Sequence, residues 1–206
     1  VRLDDLYGAS LNASSGVNGV GMTLMLYGSV IANRYALSGE DLLGELTELV
    51  LDCLLDPNAK DGAFDASEFA IEKKELLDTI QSEINNKRGY AMLRIRRTLF
   101  AGEPDAGTVY GTREEAEQLN PENTFAAYQE LLRRAVIRVY FVGPDETPET
   151  EARLRKALSA LPDRAPEDVR FALPSPIKPE AVHVTEQMDC SQCQLILGFK
   201  YKEQDS

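Results

Sequence analysis

Alternating side chains near the start of the chain predict a β-hairpin over residues 6–30. Its second strand follows from Met22, Leu24 and Leu26, which alternate with a second set of residues on the opposite face. The cluster Ser-Gly-Val-Asn-Gly at residues 15–19 is typical of a turn between two strands. We therefore expect the chain to enter its fold as two paired strands.

Helical spacing replaces this alternation in the next segment. Ser38 is the predicted N-cap, and the acidic Glu40 and Asp41 would favour the positive end of a helix. The sequence Asp-Pro-Asn at residues 56–58 would end the helix. Cys53 is expected to be a core residue, and the wide apolar face of the helix consists of Leu42, Leu43, Leu46, Leu49, Val50, Cys53 and Leu54.

A longer helix is predicted over residues 64–84, a stretch rich in carboxylates. Asp65 would cap it, and Glu68 three residues later approximates a capping box. The break at residues 85–89 leads into a second helix at residues 90–100. The apolar stripe of the longer helix consists of Phe69, Leu76, Leu77, Ile80 and Ile84.

Two further helix starts follow a predicted loop at residues 102–111. Thr112 and Glu115 form a T-x-x-E capping box for a short helix. Asn120 followed by Pro121 predicts an N-cap with proline in the first helical position.

The second half of the chain mixes predicted strands, one helix and a linker. Residues 136–142 are almost all β-branched or aromatic, which favours a central strand covered on both faces. Thr147-Pro148 would open another helix, which ends near residue 161. Dense proline then marks residues 162–180 as a linker. Two more strands are predicted at residues 182–187 and 193–201.

These elements predict an α+β fold; the resemblance described below implies that it is an antiparallel sheet layered against helices. The predicted domains are residues 1–161, a linker at 162–180, and residues 181–206 as the first strands of a second unit. Because the chain begins at Val1 and opens directly on Arg-Leu-Asp-Asp, we expect that the N-terminal part of the first domain is missing.

Composition narrows the possible partners. The 206 residues carry a net charge of −12 and are 43% hydrophobic, so a sizeable core is possible. The acidic balance argues against nucleic acid and anionic membranes, because phosphates require Lys and Arg for neutralisation. No apolar run is long enough to span a bilayer.

The three cysteines offer little chemistry. Cys190 and Cys193 form C-S-Q-C, but a zinc ribbon needs a second such pair, and a redox motif needs a helix where a strand is predicted. We interpret the pair as incidental, with redox and metal roles left open as minor alternatives. An odd cysteine count without an export signal predicts a cytoplasmic protein.

The carboxylates of the longer helix could hold a metal or could only face water. Hydrolytic zinc sites usually require histidine, and the chain has a single one, His183. Neither H-E-x-x-H nor H-x-x-E-H can therefore be present. His183 and Glu186 mimic part of such a motif, but on a strand they would point to opposite faces. A solvated helix face is the favoured interpretation of the carboxylates Glu68, Glu72, Glu75 and Glu83.

Other catalytic patterns are also absent from the sequence. There is no G-x-S-x-G elbow, and the glycines of residues 16–21 match neither a P-loop nor a dinucleotide-binding motif. Arg94, Arg96 and Arg97 form a short basic patch that we interpret as a solvated helix face. No catalytic, metal-binding or cofactor-binding residue is assigned.

Six segments nevertheless stand in a recognisable order over residues 4–160. They are LYGASLNASSG, the Leu-rich helix ending in LLDP, FDASEFAIEKKELLDTI, YAMLRIRRTLFAGEP, GTREEAEQLNPENTFAAYQELL and VIRVYFVG. This order resembles the pitrilysin/insulysin-type peptidase domain of the insulinase family, which mitochondrial processing peptidases share. VTEQMDCSQCQLILGFKY resembles the first strands of a second, homologous half.

The resemblance implies where a metal would lie. In that family an H-x-x-E-H motif precedes the LYGASLNA-like segment, and a third ligand, a glutamate, lies near the start of the helix after LLDP. That third position falls on Ala70 here, and Glu68 or Glu72 would replace it only after a register shift. The resemblance thus implies no zinc in this chain, unless an upstream segment carries H-x-x-E-H.

The resemblance also implies a function. Peptidase-like proteins of Gram-positive bacteria that lack the zinc motif resemble this chain in DGAFD, in Glu72-Lys73 and in Gly102-Glu103-Pro104. We expect a non-catalytic domain that binds a peptide or protein substrate and pairs with a homologous zinc-bearing subunit or half. The alternative is a fragment of an active zinc-dependent metalloendopeptidase whose H-x-x-E-H motif lies upstream.

Overall fold

The structure, a computed structural model, describes residues 2–18, 21–102, 109–144, 147–167, 177 and 180–200. It is an α+β fold, as predicted, in which small sheets pack on helices. The chain forms two compact units. The first comprises the described parts of residues 1–15, 24–69 and 120–168, and the second those of residues 16–23, 70–119 and 169–206.

The chain starts with a short helix and a two-stranded sheet. Helix α1 spans Arg2–Asp5, β1 spans Ser10–Asn18 and β2 spans Gly21–Ser29. Because only two residues separate the paired strands, they run antiparallel. The predicted hairpin is confirmed, but residues 15–18, which were predicted to form its turn, belong to β1.

Helix α2, Leu42–Leu55, carries the small core of the first unit. Leu6, Leu42 and Leu46 are buried there, and the partly buried apolar residues packed on them are Leu3, Ala9, Val30, Ala36 and Leu49. A Cβ on Gly28 would stand 3.0 Å from Leu46 Cδ1, so glycine lets β2 approach α2 closely. Cys53, predicted to be buried, is exposed: it lies on the same face of α2 as Leu46 but two turns beyond it, past the buried cluster.

The predicted N-cap of α2 is also corrected. Asp41 is the cap, and its carboxylate accepts a hydrogen bond from Gly44 N at 3.1 Å. Asn33, in a 3-10 helix at Asn33–Tyr35, accepts from Leu43 N at 3.0 Å and donates to Asp41 at 2.9 Å. A residue distant in sequence thus completes the cap, which local pattern could not show. Ser38 instead donates its backbone N–H to Glu40.

A tight hairpin separates α2 from the carboxylate-rich helix. Strands β3, Ala59–Lys60, and β4, Ala63–Phe64, pair antiparallel with Ala59 opposite Phe64. The two loop residues, Asp61 and Gly62, both have positive φ, at 54° and 83°. An Asp-Gly pair is the preferred sequence for such a loop, so this hairpin was detectable in the sequence and was missed.

The remaining helices largely match the predictions. Helix α3 spans Ala66–Ser82, and a 3-10 turn at Glu83–Asn85 leads into α4, Lys87–Leu99. Helix α5, Arg113–Gln118, and helix α6, Pro121–Arg134, both begin with the predicted capping residues, and α7 spans Pro148–Ser159. Helix α3 has no fully buried residue, so its apolar stripe is only partly covered.

The strands predicted in the second half are not formed among the described residues. Residues 136–142 and 180–200 do not pair with any other described segment as a strand. A strand requires a partner for its backbone hydrogen bonds, and the described chain offers none to these segments. Most of the predicted linker, and residue 201 of the last predicted strand, lie outside the described residues.

Candidate functional site

The start of α3 is firmly organised. Asp65 Oδ1 accepts hydrogen bonds from Ser67 Oγ at 2.5 Å and from the N–H groups of Ser67 and Glu68, both at 3.0 Å. The bond from the Ser67 hydroxyl, with those from the N–H groups, lowers the pKa of Asp65. The predicted cap is therefore confirmed.

Glu68 does not complete the predicted capping box. Its carboxylate accepts a hydrogen bond from Asn58 Nδ2 at 3.0 Å, while Asp65 N donates to the carbonyl of Asn58 at 3.1 Å. Asn58 thus ties the β3–β4 hairpin to the helix start. Glu68 has a structural partner there.

An aromatic cluster lies next to the start of α3. The rings of Phe64, Phe125 and Tyr128 lie 5.3 to 5.9 Å apart, with Phe64 edge-on to both others. Tyr128 donates its hydroxyl to the carbonyl of Leu54 at 2.5 Å, and burial raises the pKa of Tyr128. The cluster joins α6 to β4 and positions the cap of α3.

The carboxylates of α3 do not converge. Glu68, Glu72 and Glu75 are exposed, and Glu83 lies half-buried in the 3-10 turn that follows. Across the described residues, no group of three or more His, Cys, Asp and Glu side chains could hold a metal ion. The geometry therefore favours a solvated face over a metal site for these side chains.

Ala70 lies on α3 with its side chain exposed, beside Ile71, which is also exposed. A methyl group offers no lone pair to a metal, and zinc sites use Cys, His or carboxylate ligands. The residues present at this position therefore do not fit a zinc ion.

Lys73 has a structural role on the same helix. Its amine donates to the carbonyl of Glu117 at 2.7 Å and to that of Leu119 at 2.8 Å. Both carbonyls lie at the end of α5, where the helix leaves acceptors unpaired and favours a cation. Ala116, at the centre of α5, is buried.

His183 and Glu186 do not form a ligand pair. His183 is exposed, whereas Glu186 forms an ion pair with Arg94 at 2.7 Å. Burial, and next the neighbouring Glu186 carboxylate, raise the pKa of Tyr90. Arg94 is half-buried and paired with Glu186, so the prediction of a wholly solvated basic patch is wrong.

Cys190 and Cys193 are both free and exposed, and the Cys190 thiol donates to the carbonyl of Gln192 at 3.3 Å. Nothing in their geometry favours a redox or metal role.

A basic cleft in the first unit is a feature that sequence reasoning missed. It has a volume of about 500 Å³. Its lining residues are Ile137, Arg155, Lys156, Leu158, Ser159 and Arg164. The only sequence signal was the density of basic residues between 153 and 164, which does not show that they surround a cleft.

The fold and the site together define an α+β domain without a metal-ligand cluster in its described part. No family model matches the chain. It is 23% identical over 154 residues to the protein "Probable inactive metalloprotease YmfF" of Bacillus subtilis (strain 168), covering 75% of this chain and 36% of that protein.

A solved structure shares the fold. It is described as "Crystal structure of a conserved protein from Enterococcus faecalis V583", and it matches 83% of this chain and 39% of its own with a TM-score of 0.67 and 23% identity. The chain therefore spans less than two fifths of the length of either protein. It is similar to a protein described as a probable inactive metalloprotease.

Proposed function

We propose that this chain is a non-catalytic, pitrilysin-like domain that binds a peptide or protein and pairs with a zinc-bearing peptidase. The observation that carries the proposal is the similarity to the probable inactive metalloprotease of B. subtilis. Ala70 supports it from within the chain, because it stands where the family resemblance implies a carboxylate ligand.

The surroundings of Glu68 and Glu72 argue against the possibility that one of them, after a shift in register, replaces the ligand expected at Ala70. Glu68, one possible substitute, is hydrogen-bonded to Asn58, and Glu72, the other, is exposed and belongs to no group of three or more potential metal ligands among the described residues. The described residues alone would therefore give a zinc ion fewer than the three or four protein ligands that such sites use.

Zinc analysis of the complete protein tests this proposal. After exhaustive dialysis we expect no stoichiometric zinc and no cleavage of an unstructured peptide by the protein alone. Adding a homologous zinc-bearing peptidase should then give more cleavage than that peptidase gives alone. Stoichiometric zinc together with cleavage by the protein alone would establish the alternative, a zinc endopeptidase with its H-x-x-E-H motif elsewhere.

Two variants sharpen that result. Glu72→Ala should leave the zinc content unchanged, and loss of bound zinc on this substitution would mean that Glu72 is a ligand. Glu75→Ala, another exposed carboxylate on α3, is the matched control. A decrease in both variants would indicate only nonspecific binding to the acidic face.

A further inference from the structure

We draw no further inference here: the strongest candidate, the exposed apolar segment at residues 136–142 that follows α6 and adjoins the basic cleft, carries nothing, because nothing in the described structure shows what covers it.

Discussion

Helix α6 and the apolar segment at residues 136–142 follow one another in the chain, but they differ in where their backbone hydrogen bonds come from. Helix α6 forms its hydrogen bonds within itself, its start is closed by the reciprocal Asn120–Asn123 capping box, and Glu130 pairs with Arg133 at 2.8 Å one turn later. Residues 136–142 are almost all β-branched or aromatic, yet they form no strand in the described structure. A helix is a local object, whereas a strand depends on a neighbour.

The β3–β4 hairpin shows that even very short strands form when the partner strand is adjacent in the chain. It is made of two strands of two residues each, and it forms because Asp61-Gly62 brings the partner strand directly alongside. Sequence composition therefore predicts strand pairing well only where the partner is close in the chain. The predictions below test this contrast, beginning with the largest expected effect.

Leu42→Ala should be the most damaging change, because Leu42 is 1% exposed in the core of the first unit. We expect a loss of about 2–5 kcal/mol in the free energy of unfolding, measured with urea. Leu77→Ala, in the half-buried stripe of α3, should cost clearly less. Equal losses would mean that α3 is packed as tightly as α2.

Lys73→Met should destabilise the second unit, because it leaves the carbonyls of Glu117 and Leu119 without their donor. The expected loss is about 1.5–3 kcal/mol, the range for hydrogen bonds to charged groups, and it should appear in urea unfolding. Lys74→Met, which removes an exposed neighbouring cation, is the control. If neither substitution changed the free energy of unfolding, the carbonyls at the end of α5 would not need Lys73 as a donor.

Asp41→Ala should remove the cap of α2 at a cost of about 1 kcal/mol near neutral pH. Hydrogen bonding from Asn33 is the main cause that holds the pKa of Asp41 below its usual range, with further contributions from Gly44 N and from Arg153. The contribution of Asp41 is therefore fully present above the unfolded pKa, about 3.9, and is lost as the pH falls through the lower folded pKa.

Unfolding measured at pH 7 and at pH 3 checks this dependence. The stability difference between the wild type and Asp41→Ala should shrink at the lower pH. Asp41→Asn, which keeps a capping oxygen without the charge, should lie between the two at pH 7. A difference that grows towards low pH would show that the sign is wrong.

Val142→Ser should have the smallest effect on stability, within about 0.5 kcal/mol, because Val142 makes almost no contact in the described structure. Urea unfolding of this variant, compared with Leu42→Ala, measures the contrast between core and apolar segment directly. A loss close to that of Leu42→Ala would mean that the segment is packed in solution.

Helix positions were predictable because their signals are local. Thr112 with Glu115, and Asn120 with Pro121, stand beside the helices that they start, and the structure confirms both. Asp65 was found in the same way. The cap of α2 was not, because it requires Asn33 to fold back on Leu43, and no local pattern records that contact.

The sequence by itself determined the long helices, the caps of α3, α5 and α6, the first hairpin and the lack of a histidine pair for a zinc motif, since these depend on neighbouring residues or on composition alone. Only the tertiary structure decided that Cys53 is exposed, that Lys73 closes the end of α5, and that Arg155, Lys156 and Arg164 surround one cleft. Each of these depends on which distant segments meet. Burial and strand pairing both require contact between segments that are distant in sequence. The β-forming residues 136–142 therefore stay exposed, because the described chain brings no partner to them.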